Sequence, residues 1–336
     1  MKRKITFLVM VLCIVLVGCS TKFPSQYNLG IIYTMEYEKN SLIKFYNDFQ
    51  EETCLSYKYS SMSYDGYRNS LIQDGKLYLL PLGRGDKLDY GKVISYALDS
   101  GSIVEYDFNR TNITDYDVKD NHIYVTSNIN GISYIDKYDM TTGNIISIES
   151  EDGIIFDSVV ECNNKIFCNI IDMNEENIQL CEVDFDKQDY NIVYDYIGEV
   201  SSIYLVSYDE ENKIYFIDDQ MLIEYDILNS VTFQYETMHN NAFNLSVIDD
   251  QLYIGCTDLF EDVDSCIDVF DLKEKKFVRT IEYDGIILQI EVKNDVMYIL
   301  DYNKLVMLDL NDENDKMIRT MELGKDAYYI GGFFVK

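Results

Sequence analysis

The sequence predicts an all-β fold, specifically a seven-bladed β-propeller of four-stranded antiparallel blades. Three observations predict it. Short turns rich in Asn, Asp and Gly recur about every 44 residues, and an aromatic strand follows each of them. A second strand then ends in Asp at another turn. No stretch has a sustained apolar stripe of helical period, so few helices are expected.

The first recurring piece is a two-residue turn that leads into a strand such as HIYVT or KIYFI. Asn, Asp and Gly tolerate the positive φ that tight hairpin turns require, so these pairs predict hairpins. The pairs are Asp74-Gly75, Asp120-Asn121, Asn163-Asn164, Glu211-Asn212, Asp249-Asp250 and Asn294-Asp295.

The second recurring piece is an Asp that ends a strand just before the next turn. Its side chain is expected to accept hydrogen bonds from the backbone of that turn, which is a structural role. These residues are Asp99, Asp139, Asp184, Asp226, Asp271 and Asp309. A further apolar stretch separates successive units, so each unit has four strands, here called A to D from the inside out.

The two ends of the chain decide the number of blades. Residues 30–60 match strands B, C and D without a strand A, and AYYIGGFFVK at 327–336 matches a strand A with nothing after it. The sequence therefore predicts one domain over residues 29–336, in which the last strand completes the first blade and leaves no open edge. Six or eight blades are the alternatives.

The best-preserved unit has the pattern D-N-x-I-Y-V-T, then D-x-x-T-G-x-I-I, at residues 120–146. It resembles the YVTN-type and quinoprotein-type repeats of bacterial surface and periplasmic propellers. The resemblance covers nearly the whole chain after the N-terminal segment and implies the fold only. Quinoprotein enzymes of that class carry Trp-rich docking motifs, and this chain has no Trp. We therefore expect no quinone and no other cofactor.

The N-terminal segment predicts where the protein is located. A basic start, MKRK, precedes an apolar run that is too short to span a bilayer but fits a secretory signal. Leu16-Val17-Gly18-Cys19 resembles the lipobox of bacterial lipoproteins, which implies a signal peptide over residues 1–18 and a diacylated Cys19. Two acyl chains give a stable anchor. Residues 19–28 then form a tether, and the protein is extracytoplasmic. An ordinary signal peptide with a chance Cys is the alternative.

The charge balance argues against nucleic-acid binding. Lys and Arg total 28 against 59 Asp and Glu, a formal net charge of −31. A field of this sign repels phosphate backbones and permits cationic partners. The acidic residues lie mainly in turns, where they favour solubility.

No catalytic residue is predicted. His122 lies in an A–B turn and His239 in a loop between blades, so the two belong to opposite faces of a propeller. Carboxylate pairs such as Asp115 and Asp117 are expected by chance among so many acids. The acidic loop 257–265 is a weak calcium candidate through Asp258, Asp262 and Asp264. No other metal site is predicted, since C-x-x-C spacing is absent from the sequence.

Two cysteine pairs flank loops in a way that suggests hairpin disulfides. Cys256 ends a strand B and Cys266 begins its strand C, and Cys168 and Cys181 have the same relation. Facing residues on antiparallel strands come within disulfide reach. Buried free thiols are the alternative.

Propellers usually bind ligands at the face that carries the B–C and D–A loops. Rare cationic and aromatic residues predict a ligand rim there: Arg84, Arg110, Tyr64, Tyr67 and Tyr90. The resulting expectation is a lipid-anchored binding or protein-interaction module for a protein or small molecule, rather than an enzyme. The alternatives are a surface hydrolase that acts on a glycan or small ester through loop carboxylates, and a scaffold subunit of an envelope complex.

Overall fold

The computed structural model describes residues 23–35, 40–59, 62, 70–81, 91–110, 112–197, 204–257, 265–302, 304–312, 316–323 and 328–336. Within these residues the chain forms seven four-stranded antiparallel sheets, which we number I to VII along the chain. The helical content of this part of the chain is one 3-10 turn, Asp209–Glu211. None of its helices is long and apolar enough to cross a membrane.

Blade I is composite, because its inner strand comes from the C-terminal end of the chain. Its strands, from the inside out, are β28 (Tyr328–Val335), β1 (Leu29–Met35), β2 (Ser41–Asn47) and β3 (Gln50–Tyr57). Leu29 pairs with Val335 and Ile31 with Phe333 in an antiparallel register. This confirms both the predicted closure and the predicted number of blades.

The other six blades are continuous in sequence. Blade II contains β4 (Ile72–Gln73), β5 (Lys76–Leu79), β6 (Lys92–Ala97) and β7 (Ile103–Asp107). Blade III contains β8 (Ile113–Lys119), β9 (His122–Ile129), β10 (Ile132–Asp139) and β11 (Ile145–Glu149). Blade IV contains β12 (Ile154–Cys162), β13 (Lys165–Asp172), β14 (Asn177–Asp184) and β15 (Asp189–Asp195).

Blade V contains β16 (Val206–Tyr208), β17 (Lys213–Asp218), β18 (Met221–Asp226) and β19 (Val231–Glu236). Blade VI contains β20 (Ala242–Ile248), β21 (Gln251–Cys256), β22 (Ser265–Asp271) and β23 (Lys276–Tyr283). Blade VII contains β24 (Gln289–Lys293), β25 (Val296–Leu300), β26 (Lys304–Asp309) and β27 (Met317–Glu322).

The hydrophobic core is divided into layers that lie between neighbouring blades. One buried cluster joins each adjacent pair: I–II, II–III, III–IV, IV–V, V–VI, VI–VII and VII–I. The last cluster packs Leu29 and Phe333 of blade I against Leu305 of blade VII. Because each blade buries both of its faces in this way, the ring is closed by the hydrophobic effect as well as by strand pairing.

The turns have the conformations that their residues predict. Asn163 and Asn164 have φ of 51° and 65°, and the pairs Asp74-Gly75, Asp120-Asn121 and Asn294-Asp295 likewise have positive φ at both positions. The Glu211-Asn212 pair differs from the others. There the 3-10 turn Asp209–Glu211 reverses the chain direction, and of the pair only Asn212 has a left-handed conformation, with φ 56°. These conformations favour Asn, Asp and Gly.

The repeated Asp at the end of strand C holds the following turn in blades III to VII, as predicted. Blade II differs, because its strand C ends at Ala97 and Asp99 lies within the turn. Asp139 Oδ1 accepts from the backbone N–H groups of Thr141 and Thr142, at 2.8 and 3.1 Å. The equivalent bonds form at Asp184, Asp226, Asp271 and Asp309. These hydrogen bonds lower the pKa of Asp139.

Asp115 and Asp117, the carboxylate pair noted in the sequence, link the inner strands of two blades. Asp115 Oδ2 accepts from the backbone N–H of Val159 at 2.7 Å, and Asp117 Oδ2 from that of Glu161 at 2.6 Å. The inner strands β8 and β12 belong to neighbouring blades and are not paired with each other. The two carboxylates of β8 accept hydrogen bonds from backbone N–H groups of β12 and so link the two strands. The pair therefore has a structural role.

The two faces of the ring differ in how the chain connects its strands. We call the face with the B–C and D–A connections the top face, and the face with the A–B and C–D turns the bottom face. The N-terminal described residues lie at the bottom face: Phe23 contacts Phe45 and Tyr96 edge to face or tilted, and Tyr27 Oη donates to Leu98 O at 2.5 Å. Much of the segment assigned to the tether thus packs against blades I and II.

Candidate functional site

Of the five predicted rim residues, only Arg110 can be placed. Arg84, Tyr64, Tyr67 and Tyr90 lie outside the described residues, and so do Cys19 and the calcium candidates Asp258, Asp262 and Asp264.

Arg110 lies in the top-face connection before blade III and is engaged with that blade. Its Nε and Nη2 donate to the two oxygens of Asp136, at 2.7 and 2.8 Å, and Nη2 also donates to Ser147 Oγ at 3.1 Å. The guanidinium lies 3.7 Å from the ring centroid of Tyr134. Asp136 is fully buried. A bidentate pair with a buried carboxylate is a strong, oriented interaction, so much of the hydrogen-bonding capacity of Arg110 is used within the fold.

A second cluster lies at the corresponding place on blade VI. His239 lies in the D–A connection after β19, where the sequence favoured an ordinary surface histidine. Its Nδ1 is 2.9 Å from Oδ1 of Asp268, a fully buried carboxylate on β22. Thr280 Oγ1 on β23 donates to the same Oδ1 at 2.7 Å. The His239 side chain is 43% exposed and that of Asp268 is 1% exposed, so the imidazole faces solvent while the carboxylate is buried.

Cys266 belongs to the same cluster. Ligand atoms of His239, Cys266 and Asp268 all lie within 4.8 Å of one another. Cys266 and Asp268 are alternate residues of β22 and so project from the same side of the strand. Cys256, directly opposite Cys266 on β21, places its Sγ 3.9 Å from Asp268 Oδ2.

The cluster shifts the pKa values of its own members. The two facing cysteines influence each other: Cys256 lowers the pKa of Cys266, whereas Cys266 and burial raise the pKa of Cys256. Burial favours neutral His239, but the hydrogen bond and the charge of Asp268 outweigh it and raise the pKa of His239. The site thus holds a thiol, an imidazole and a carboxylate in mutual contact.

The second cysteine pair also lies in register. Cys168 faces Cys181 on β13 and β14, and both are buried. Burial raises the pKa of Cys168. All four cysteines are free thiols in the structure. Their antiparallel pairing is compatible with the two predicted disulfides, which stay predictions.

Two carboxyl groups on inner strands have a raised pKa. Desolvation raises the pKa of Glu161, on β12 of blade IV, to about 7. It also raises that of Glu291, on β24 of blade VII, to about 7, although hydrogen bonds from Ser70 and Gln289 oppose it. Blades V and VI separate the two groups along the ring, so they do not form an acid–base pair on neighbouring strands.

A positional signal in the sequence could have revealed the blade VI cluster. Asp268 and Asp136 each lie three residues before the turn Asp of their blade. In four other blades the residue at the same place in the strand register is apolar or Cys: Ile94, Cys181, Ile223 and Val306. A carboxylate at an otherwise core position predicts a buried partner, because an unpaired charge there is costly.

Comparison with known proteins supports the fold and no family. No family model and no curated protein matches this sequence. Among solved structures, a dihydro-heme d1 dehydrogenase, NirN, superposes with a TM-score of 0.57 at 12% identity, over 92% of this chain and 67% of that one. BamB from Moraxella catarrhalis gives 0.49 at 10% identity, over 91% of each chain. A chain of a nidogen/laminin complex gives 0.46 at 10% identity, over 75% of this chain and 92% of that one.

At such identities the likeness concerns architecture alone. The ring of seven blades and the NirN superposition together define the class: the protein is a β-propeller. Fold does not determine function in this class, because unrelated sites are carried on the same blades.

Proposed function

We propose that this chain is a lipid-anchored, extracytoplasmic propeller that binds a protein partner through its top face. The anchor rests on the lipobox-like Leu16-Val17-Gly18-Cys19 in the sequence. The binding role rests on an asymmetry between the two faces of the ring.

Among the exposed large apolar side chains that lie outside the strands, most are in the top-face connections. They are Met173, Ile197, Met238 and Tyr302, in the described B–C and D–A connections of blades IV to VII. Among the described bottom-face turns, Leu228 is the one residue of this kind. Apolar residues that stay exposed at the rim of a rigid scaffold are typical of protein-binding surfaces, and this asymmetry is the observation that carries the proposal.

The position of the N-terminal segment supports the same arrangement. Phe23 and Tyr27 pack at the bottom face, against the C–D turn of blade II that contains Leu98 and Gly101. Only three residues lie between Cys19 and Phe23, and the four residue steps from one to the other span at most about 14 Å. A lipidated Cys19 would therefore hold the bottom face close to the bilayer and direct the top face away from it.

The anchor is tested by a Cys19→Ser substitution in cells. The natural chain is expected to sediment with membranes and to be extracted by detergent, whereas the variant should be released from them. A variant that stays in the membrane fraction after an alkaline carbonate wash would contradict lipid anchoring. A Cys54→Ser variant, which leaves the lipobox intact, is the matched control.

The binding face is tested with a photo-crosslinking amino acid placed at two positions of similar exposure. Ile197 is 83% exposed on the top face, and Leu228 is 72% exposed on the bottom face. In intact cells we expect a discrete protein adduct from position 197 and none from position 228. Adducts from position 228 alone, or equal adducts from both positions, would overturn the assignment of the face. The absence of any protein adduct at additional top-face positions 173 and 302 would contradict a protein partner.

A further inference from the structure

We propose that His239, Cys266, Asp268 and Cys256 form a binding site for Zn²⁺ or a similar borderline-soft divalent ion at the top of blade VI. The inference goes beyond the proposed binding role, because it rests on different residues and stands whether or not a protein partner exists.

The spacing of the candidate ligand atoms suits a tetrahedral metal ion. Zn²⁺ bonds of about 2.3 Å to sulfur and about 2.0 Å to nitrogen or oxygen place neighbouring ligand atoms about 3.5 Å apart. Atoms of His239, Cys266 and Asp268 already lie within 4.8 Å of one another, and Cys256 Sγ is 3.9 Å from Asp268 Oδ2. An ion would draw these atoms closer together through rotation of the side chains.

The donor set selects the type of ion. Two sulfurs, an imidazole nitrogen and one carboxylate oxygen are ligands that Zn²⁺ accepts, whereas Ca²⁺ and Mg²⁺ require oxygen throughout. Among the described residues, no other three His, Cys, Asp or Glu side chains approach one another this closely.

The surroundings of the cluster hold it in position and leave it accessible. Cys256, Cys266 and Asp268 lie on two paired central strands, so their backbone positions are fixed by the ladder. Thr280 Oγ1 donates to Asp268 Oδ1 and orients the carboxylate, as an outer-shell partner of a metal ligand does. His239 is the exposed member, and its ring can turn toward the sulfurs when an ion enters from solvent.

The site and the predicted Cys256–Cys266 disulfide use the same two sulfurs and exclude each other. Binding is therefore measured on the full chain in detergent, prepared under reducing and metal-free conditions. Thiol titration in denaturant confirms beforehand that the cysteines are reduced.

The experiment is a Co²⁺ titration followed by displacement with Zn²⁺. We expect one equivalent of Co²⁺ to give the intense visible absorption of tetrahedral cobalt and a sulfur-to-cobalt charge-transfer band, and one equivalent of Zn²⁺ to abolish both. Cys266→Ser should remove the charge-transfer band or reduce it strongly. His239→Ala should weaken binding at least about tenfold.

A matched control comes from the other cysteine pair. Cys168→Ser alters an equivalent cross-strand pair outside the cluster and should leave the cobalt spectrum and affinity unchanged. The proposal is overturned if the natural reduced chain gives no charge-transfer band at one equivalent, if Cys266→Ser and His239→Ala bind as the natural chain does, or if Cys168→Ser abolishes the signal.

Discussion

Blades III and VI place the same kind of side-chain cluster at the same position and use it differently. In each blade a buried Asp lies on strand C, three residues before the turn Asp, and a basic residue of the preceding D–A connection bonds to it. Arg110 and His239 each lie three residues before the inner strand of their blade begins. Asp136 and Asp268 are both fully buried.

The neighbours of the buried Asp make the difference. On strand C, Tyr134 under the Arg110 guanidinium corresponds to Cys266, and on strand B, Ser127 corresponds to Cys256. Blade III thus joins a permanently charged, planar donor to an aromatic face, whereas blade VI joins a titratable ring to two thiols. One blade position can serve either as a fixed clamp or as a candidate site, depending on the residues that fill it.

The largest expected difference between the blades is in the cost of removing the buried carboxylate. Asp136→Ala leaves the partly buried Arg110 charge unpaired, which we expect to cost about 3 kcal/mol of unfolding free energy. Asp268→Ala should cost clearly less, because His239 can lose its proton and turn to solvent. Urea denaturation of both variants measures the difference. Equal losses of unfolding free energy would show that the two clusters stabilise their blades to the same extent.

Exchanging the two basic residue types should weaken the ion pair in blade III and remove metal binding in blade VI. Arg110→His removes the bidentate pair and should cost about 2 kcal/mol at pH 8, where much of the new imidazole is neutral. His239→Arg should give Asp268 a permanent partner and abolish the cobalt charge-transfer signal. Denaturation and cobalt binding, measured on both variants, check this. Retention of cobalt binding by His239→Arg would contradict the role of the imidazole.

A smaller effect is expected for the strand D hydroxyls. Thr280→Val removes a hydrogen bond to the buried Asp268 and should cost about 1 kcal/mol. Ser147→Ala removes only an additional acceptor for Arg110, which keeps both bonds to Asp136. This variant should cost roughly a few tenths of a kcal/mol of unfolding free energy. The two variants are matched in position and are compared by thermal and urea denaturation.

The smallest expected effect concerns pH. Because Asp268 raises the pKa of His239, the contribution of this pair to stability is complete below about pH 6.5 and is lost as pH rises through the raised folded pKa. The cost of Asp268→Asn should therefore be smaller at pH 9 than at pH 6, whereas that of Asp136→Asn should be the same at both. NMR titration of the His239 ring gives the same test directly, and its pKa should fall in Asp268→Asn. Glu282 and Cys266 also influence this ring, so the fall need not be complete.

The sequence predicted the architecture well because a propeller repeats one local pattern. The turn pairs and the strand-ending Asp residues depend on backbone conformation within a few residues of themselves, and both could be identified from spacing alone. The composite blade followed from the same pattern, because an unmatched strand A at one end complements three unmatched strands at the other.

The candidate site could not be predicted in the same way. Its members come from a loop, two neighbouring strands and a hydroxyl on a third strand, so no short motif contains them. The sequence assigned His239 to a surface loop, and only the fold brings it to Asp268. The prediction that Arg110 lines a ligand rim did not include its partner Asp136, for a similar reason. Asp136 lies 26 residues away in sequence and is brought near by strand pairing.

The composite first blade imposes an order on folding. Blades II to VII each form from one continuous stretch, so their strand pairings are local. Strand β1 pairs with β28, which is nearly the whole chain length away, so this contact has the largest loop-closure cost and is expected to form late. Until then the free edge of β1 and the apolar surface of blade VII remain open to other chains, which makes the interval before the last eight-residue strand arrives the period of greatest aggregation risk.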